Sequence, residues 1–300
     1  MQTEVQKQTI TSQQIVRRTK ETNIKPVLDV VGVEFAYNEH AVVKGVDFQV
    51  EPEQCYCIFG PNGCGKSTLL NCILGLHKPN QGEIWIQGQN TKQMTNTQKA
   101  REIAYVSQKS DKTFPFTVEQ IVLMGRTAYT SAFSSPGKQD LEIAHQALKS
   151  VGMYGFKDRP FTKLSGGETQ LVKIARAIAQ DTGIIVFDEP TSHLDFRHEL
   201  NVIKYIVEII KEKKLAVVMA THFPNHAFFL QAQGINTKVA MMNAGKFQAV
   251  GGPDKVLTEE NMAQIFKVQT RSFFTNDSGQ QNQYIVPVDF TEGGSWNHEE

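Results

Sequence analysis

The feature that most constrains the fold is the glycine-rich segment GPNGCGKST at residues 60–68. It matches the pattern G-x-x-x-x-G-K-[ST], with a strand-like run before it at 54–59 and a predicted helix after it at about 67–75. Glycines let the backbone curl so that successive N–H groups point into one concavity, which suits anionic oxygens. The free N–H groups at the start of the helix strengthen that site. The sequence therefore predicts a phosphate-binding loop on a strand–loop–helix unit.

The polar residues of this loop have distinct predicted roles toward a nucleotide. Lys66 is expected to reach the β- and γ-phosphates, the Ser67 hydroxyl to bind Mg²⁺, and Thr68 to lie near the α- or β-phosphate. The alternative is a glycine-rich turn that matches the pattern by chance, and the flanking strand and helix disfavour it. The other predicted nucleotide contacts in the loop are Gly60, Pro61, Asn62, Gly63, Cys64 and Gly65.

A second feature is an apolar strand that ends in two acids. Residues 184–187 read Ile-Ile-Val-Phe, and Asp188 and Glu189 follow. Parallel α/β folds place their sites at the C-terminal ends of buried strands. Asp188 suits Mg²⁺, held through water, and Glu189 suits the water that attacks a γ-phosphate. Alone the two acids could form an ordinary surface turn, but beside a phosphate loop they indicate hydrolysis.

A second glycine pair opens another predicted helix, which is amphipathic. Ser165 and Glu168 flank this pair in a capping-box pattern, so a purely structural cap is an open alternative. Two glycines at a helix start also make a second anion site. Since one nucleotide rarely needs two such sites, the pattern favours two chains facing head to tail, each covering the other's phosphate loop. The segment consists of Leu164, Ser165, Gly166, Gly167 and Glu168.

Over roughly residues 27–265 the chain resembles the nucleotide-binding subunits of ABC transporters. The segment LSGGE is similar to that family's signature sequence, which kinases and GTPases lack. The resemblance implies ATP and Mg²⁺ as ligands, a second copy of the chain as partner, and Glu189 as the catalytic carboxylate.

The resemblance also assigns roles to four further residues. Tyr37 corresponds to an aromatic residue that stacks on adenine, although a strand-end tyrosine packed on the core is the alternative. Gln108 corresponds to the glutamine that touches Mg²⁺ and the attacking water. Asp195 corresponds to an acid that helps the two sites communicate. His222 corresponds to the switch histidine at the γ-phosphate, although a lone histidine is more often an ordinary loop residue.

A finer resemblance concerns the segment Phe116 to Tyr129. It contains Val-Leu-Met-Gly-Arg at 122–126, as in the ATPases of iron–siderophore, haem, vitamin B12 and some molybdate importers. The residues after His222, Phe-Pro-Asn-His, depart from the siderophore pattern and are closer to the metal-oxyanion branch. This resemblance implies a polytopic membrane permease and an extracytoplasmic substrate-binding protein as partners, and leaves the substrate open.

The remaining patterns predict an α/β P-loop NTPase. Alternation at 31–35 and 46–50 predicts an N-terminal antiparallel sheet, and strand–helix–strand order at 184–220 predicts a mostly parallel core sheet. We expect a flexible polar tail at 1–26, an ATP-binding domain at 27–265 and a C-terminal extension at 266–300. Within the domain, a helical signature subdomain is expected at about 95–165. The extension carries one strand-like run at 284–288.

Charge and hydropathy limit the partners and the location. The chain has 31 Lys+Arg and 31 Asp+Glu, which argues against nucleic acid held by net charge. No run of spanning length and no signal-like start occur, so we expect a peripheral protein on the cytoplasmic face of the membrane. The alternatives are an exporter subunit, or a soluble ABC ATPase acting on nucleic acid or ribosomes. The latter usually carries two nucleotide modules or a long coiled coil.

The four cysteines fall between residues 55 and 72. Cys55, Cys57 and Cys72 are predicted to be small buried apolar residues rather than metal ligands. Cys64 is predicted to have a lowered thiol pKa because it lies near Lys66 and a helix N-terminus. On that hypothesis an alkylating reagent inhibits the protein, and ATP protects it.

Overall fold

The computed structural model describes residues 24–108, 114–130, 136–277 and 280–291. Within these ranges a central sheet has the strand order β10-β9-β3-β8-β7-β6. All neighbouring strands are parallel except β10, which runs antiparallel to β9. The predicted, mostly parallel core sheet is therefore confirmed. In that spatial order the strands are Lys246–Gly251, Asn236–Asn243, Gln54–Phe59, Ala216–Thr221, Ile184–Asp188 and Ile103–Val106.

The middle of this sheet is covered on both faces. Every residue of β3, β7 and β8 is buried, as expected for apolar strands in a parallel sheet packed between helices. The parallel strands all end at the same edge. The loops after Phe59, Asp188 and Thr221 consequently meet there.

A second sheet is antiparallel, as the alternating sequence predicts. Its strand order is β2-β1-β4-β5, and its apolar side chains pack on the helix that follows the phosphate loop, including Leu69 and Leu70. Burial of this shared core fixes the phosphate loop between the two sheets. In chain order the strands are β1 (Leu28–Tyr37), β2 (His40–Val50), β4 (Gln81–Ile86) and β5 (Gln89–Asn90).

The helices pack against the central sheet and against one another. A capping box opens the helix Val118–Leu123: Thr117 Oγ1 accepts the backbone N–H of Gln120 at 3.2 Å, and Gln120 Oε1 accepts that of Thr117 at 2.9 Å. The helices are α1 (Lys66–Ile73), α2 (Asn96–Glu102), α3 (Val118–Leu123), α4 (Lys138–Ser150), α5 (Gly166–Ala179), α6 (Phe196–Lys213), α7 (Asn225–Ala232), α8 (Pro253–Val256) and α9 (Glu259–Phe266).

The prediction that 95–165 is helical is wrong at one place. Residues Ile103–Val106 form β6, which pairs with β7 at the side of the central sheet. A run of four apolar residues has no periodicity that separates a buried strand from part of a helix. The strands β9 and β10 were likewise not predicted.

The C-terminal extension contains an antiparallel hairpin of β11 (Val268–Asp277) and β12 (Gln280–Phe290). The predicted run at 284–288 lies within β12. Asn225, at the start of α7, accepts the backbone N–H of Ile285 at 2.9 Å and donates to its carbonyl oxygen at 3.3 Å. Residues 1–23 of the predicted polar tail lie outside the described residues. None of the helices in the described ranges has the length and hydropathy needed to cross a bilayer.

Candidate active site

The phosphate loop, which connects β3 to α1, forms one wall of a cleft of about 620 Å³. Gly65 has a φ of 109°, and a Cβ at this position would lie 2.9 Å from the carbonyl oxygen of Val42. A Cβ on Gly60 would lie only 2.2 Å from the carbonyl oxygen of Met242. Both positions therefore require glycine, one for its backbone conformation and both for close packing.

Lys66 is held inside the loop. Its side chain is 5% exposed, and Nζ donates to the carbonyl oxygens of Gly60 at 2.7 Å and Pro61 at 3.1 Å. The same atom lies 3.6 Å from Oε1 of Glu189. A buried ammonium group placed this way faces both the loop and the Glu189 carboxylate, and it could neutralise phosphate charge in the cleft.

Ser67, at the start of α1, contacts Asp188, at the end of β7. The Ser67 hydroxyl donates to Oδ1 of Asp188 at 3.1 Å, and the Tyr105 hydroxyl lies 3.5 Å from Oδ2. Burial raises the pKa of Asp188, and the Ser67 hydrogen bond offsets part of that rise. A desolvated carboxylate beside a hydroxyl is a donor set that fits a hard cation such as Mg²⁺.

Glu189 is the point where the predicted catalytic residues converge. Its Oε2 accepts from Gln108 Nε2 at 3.1 Å and from Ser192 Oγ at 2.9 Å, and it lies 3.2 Å from Nδ1 of His222. Its backbone has a φ of 47°, an uncommon conformation for a side chain of this size. The N–H of Glu189 donates to the carbonyl oxygen of Ala220 at 2.9 Å, which fixes this turn on the neighbouring strand.

His222 follows β8 in a turn that buried residues brace. The N–H of Phe223 donates to Oγ1 of Thr221 at 3.0 Å, and the rings of His222 and Phe223 are 4.1 Å apart. His226, which is 5% exposed, pairs with Glu199 at 2.7 Å between Nε2 and Oε1. This pairing connects the start of α7 to α6, so the turn that holds His222 is supported by a second helix.

The signature segment lies away from the cleft of its own chain. The predicted capping box is present: Ser165 Oγ accepts the N–H of Glu168 at 3.2 Å, and Glu168 Oε2 accepts that of Ser165 at 2.8 Å. Among the described residues lining the cleft, none comes from 164–168, and Asp195 is also outside it. Asp195 instead caps α6 by accepting the N–H of His198 at 2.9 Å.

The Val-Leu-Met-Gly-Arg segment packs against the C-terminal end of α5, the helix that begins in the signature segment. Arg126 is buried, and it donates to the carbonyl oxygen of Ala179 at 2.8 Å and to Asp140 at 3.0 Å. A Cβ on Gly125 would lie 2.3 Å from the carbonyl oxygen of Arg176. The arginine thus satisfies a C-terminal carbonyl of α5, and the glycine lets the two segments touch.

Tyr37 lies at the end of β1, outside the lining of the cleft. Its side chain is 48% exposed, its ring meets Phe35 edge-on at 4.9 Å, and its hydroxyl is 2.8 Å from Nε2 of His77. The ring is therefore oriented by its neighbours and accessible. Its role toward adenine stays a prediction.

The prediction of a lowered pKa for Cys64 is wrong. Cys64 is 5% exposed, and burial raises its pKa more than Lys66 and nearby backbone N–H groups lower it. Proximity to a positive group lowers a thiol pKa only where the thiolate is also solvated or compensated. The burial predicted for Cys55, Cys57 and Cys72 is confirmed.

Sequence reasoning missed the contacts made by Ser192 and His226. Ser192 follows Glu189 by three residues, and its N–H donates to the Glu189 carbonyl oxygen at 3.2 Å. That turn is what brings its hydroxyl to the carboxylate. A serine three residues after the predicted catalytic acid was the available signal, whereas the partner of His226 is 27 residues away in sequence.

Known proteins are similar to this chain in sequence and in fold. A family model described as ABC transporter matches residues 43–192. An uncharacterized ABC transporter ATP-binding protein of Haemophilus influenzae is 39% identical over 241 residues, which cover 80% of this chain and 89% of that protein. The molybdate import ATP-binding protein MolC of the same organism is 33% identical over 258 residues, which cover 83% of this chain and 94% of MolC.

A solved structure agrees with the sequence relatives. It is an inward-facing conformation of an ABC transporter assigned to the metal-chelate type, with 31% identity and a TM-score of 0.76. The match covers 88% of this chain and 97% of that one. The fold and site thus define an ATP-hydrolysing nucleotide-binding domain. The chain belongs to the ABC transporter family, whose ATP-binding domains hydrolyse ATP to drive transport, and the resemblance and fold class inferred from the sequence are confirmed.

Proposed function

We propose that this chain is the ATP-hydrolysing subunit of a membrane importer for an iron chelate, haem, cobalamin or a metal oxyanion. The observation that carries the proposal is the convergence of Gln108, Ser192 and His222 on the Glu189 carboxylate. The import of metal compounds is supported by the molybdate relative and by the metal-chelate type of the similar structure.

In this proposal Glu189 accepts a proton from the water whose oxygen attacks the γ-phosphorus. The bond from that phosphorus to the β,γ-bridging oxygen breaks, and ADP and inorganic phosphate are the products. General-base catalysis needs the carboxylate within hydrogen-bond reach of that water, and hydrogen bonds from Gln108 and Ser192 orient it. Lys66 neutralises charge on the phosphates. Mg²⁺, when bound, would stabilise the charge that develops on the phosphate oxygens, and Ser67, Asp188 and Gln108 would hold it.

A second copy completes each site in this proposal. The signature segment at 164–168 and Asp195 of one chain act on the nucleotide held by the phosphate loop of the other. Their position outside their own cleft supports this arrangement. ATP then closes the two copies, and hydrolysis reopens them.

The proposed assembly places residues 27–265 as the ATP-binding domain on the cytoplasmic face of a membrane. Its partners there are polytopic permease subunits, which receive substrate from an extracytoplasmic binding protein. The cargo would be recognised by those partners. This chain would supply the energy of ATP hydrolysis and not the substrate specificity.

Reconstitution with the permease and the binding protein tests this proposal. Proteoliposomes holding the complex are supplied with ATP and with the binding protein loaded with molybdate, a ferric siderophore, haem or cobalamin. We expect one loaded form to stimulate ATP turnover and to deliver its cargo to the side opposite the binding protein. The Glu189→Gln complex, assembled in the same way, is the matched control and should transport nothing.

Two results would contradict the proposal. One is cargo movement in the opposite direction, which would indicate an exporter. The other is turnover stimulated by RNA or ribosomes in a protein that binds no permease, which would indicate a non-transport ATPase.

A further inference from the structure

We propose that His198 is a positioning residue. Its ring holds the start of α5, which lies in the signature segment, against the loop that ends at Asp195, so that both face the second copy together. The inference rests on the proposed dimer, in which both segments act on the partner's nucleotide. It assigns a role to a residue that the motifs leave unexplained. His198 lies in the first turn of α6, next to the start of α5.

One edge of the His198 ring is fixed to its own loop. Nδ1 lies 2.9 Å from both carboxylate oxygens of Asp195, and the backbone N–H of His198 donates to the same carboxylate at 2.9 Å. These two contacts lower the pKa of Asp195. A pair three residues apart on a helix surface contributes little by itself, so this contact alone gives His198 only a capping role.

The ring also packs on a different element. A Cβ on Gly167 would lie 2.0 Å from Cδ2 and 2.4 Å from Cγ of His198. The imidazole therefore occupies the space that a side chain at residue 167 would need, and it buries Gly167. At Gly166, by contrast, a Cβ would meet only Leu194 at an ordinary 3.8 Å.

The two glycines of the signature segment are thus needed for different reasons. Gly166 is exposed and leaves the helix start open to an approaching phosphate, as helix N-termini favour. Gly167 makes room inside the chain for the ring that also holds Asp195. Because one rigid ring touches both segments, displacing it should change the position of one segment relative to the other.

His198 lies outside the lining of its own nucleotide cleft. Its loss should therefore leave ATP binding to a single chain unchanged and weaken only the ATP-dependent association of two chains. We expect the ATP concentration that gives half-maximal dimer to rise about tenfold, which is within the range measured for side-chain truncations that weaken an interface.

The experiment uses the full chain in the Glu189→Gln background with ATP and Mg²⁺. Dimer is measured by light scattering after size exclusion, and ATP binding to the monomer by a fluorescent ATP analogue at low protein concentration. His198→Ala should show the tenfold loss in dimer and less than a twofold change in monomer binding. His198→Asn, which keeps a donor for Asp195 but loses the ring, should behave like His198→Ala. Lys204→Ala, an exposed residue of α6, is the matched control.

A double-variant cycle tests the contact itself. Gly167→Ala alone should weaken the dimer because its Cβ displaces the ring. In the His198→Ala background the same change should cost much less, so the two effects should not add. Additive losses, or a full dimer in His198→Ala, would overturn the role of His198. If the Glu189→Gln parent itself stays monomeric with ATP, the proposed dimer is wrong and this inference fails with it.

Discussion

Nδ1 of His222 lies 3.2 Å from Oε2 of Glu189. The two residues follow neighbouring parallel strands, β8 and β7, and the N–H of Glu189 is bonded to the carbonyl oxygen of Ala220 on β8. Register in the sheet therefore sets the distance between the acid and the histidine. A single chain therefore positions the Glu189 carboxylate and the His222 ring relative to each other without contacts from a partner.

The hydrogen bond between Ser67 and Asp188 predicts how ATP turnover should depend on Mg²⁺, which we propose these residues hold. Asp188→Asn removes the charge beside the Ser67 hydroxyl, so the concentration of Mg²⁺ that half-saturates ATP turnover should rise at least about tenfold. A titration of turnover against Mg²⁺ measures this. Tyr105→Phe, which removes only a contact of 3.5 Å to the same carboxylate, should change it less than about twofold. An unchanged requirement in Asp188→Asn would contradict the metal site.

The burial of Cys64 predicts a slow reaction with alkylating reagents. Because burial raises its thiol pKa, the folded protein should react at pH 7 at least about tenfold more slowly than a free thiol, whose pKa is about 8.5. Mass spectrometry after timed exposure to N-ethylmaleimide measures the rate, with the urea-unfolded chain as control. Rapid labelling that ATP prevents would restore the lowered pKa inferred from the sequence.

The pair between Glu199 and His226 predicts a pH-dependent contribution to stability. The hydrogen bond from His226 lowers the pKa of Glu199. A carboxylate with a lowered folded pKa adds stability above its unfolded pKa of about 4.3, and this is lost as the pH falls through the folded value. Glu199→Gln should therefore reduce the free energy of unfolding by about 1 kcal/mol at pH 7, and by less near pH 3. Urea unfolding at the two pH values measures this, and a loss that is equal at both would contradict a stabilising role for the ionised Glu199 carboxylate.

The close packing at Gly60 predicts that alanine at this position lowers ATP affinity more than alanine at Gly63 of the same loop. Gly60→Ala would place a methyl 2.2 Å from the Met242 carbonyl oxygen, so the loop must move and ATP affinity should fall at least about tenfold. Gly63→Ala has open space, and its φ of 75° should cost only about 1 kcal/mol of stability. ATP binding and thermal unfolding of both variants test this. Equal loss of ATP affinity would show that backbone conformation, and not the Met242 contact, governs the loop.

The sequence was most informative where local chemistry decides structure. The phosphate loop, the capping box at Ser165 and the two acids at the end of β7 all follow from neighbouring residues. The structure of β6 did not, because a short buried strand depends on pairing with β7. The burial that raises the pKa of Cys64 also depends on distant parts of the chain, since the phosphate loop packs against Met242 of β9. Long-range contacts of this kind have no signal in a single sequence.

The central claim is that Glu189 carries the chemistry of ATP hydrolysis, and Glu189→Gln tests it most directly. The amide keeps the shape of the side chain but cannot accept the proton from water. Steady-state ATP turnover and the amount of ATP-bound dimer are measured together in the wild type and the variant. We predict that turnover falls at least about 100-fold while ATP stays bound and the dimer accumulates. Turnover at the wild-type rate in Glu189→Gln would contradict the account.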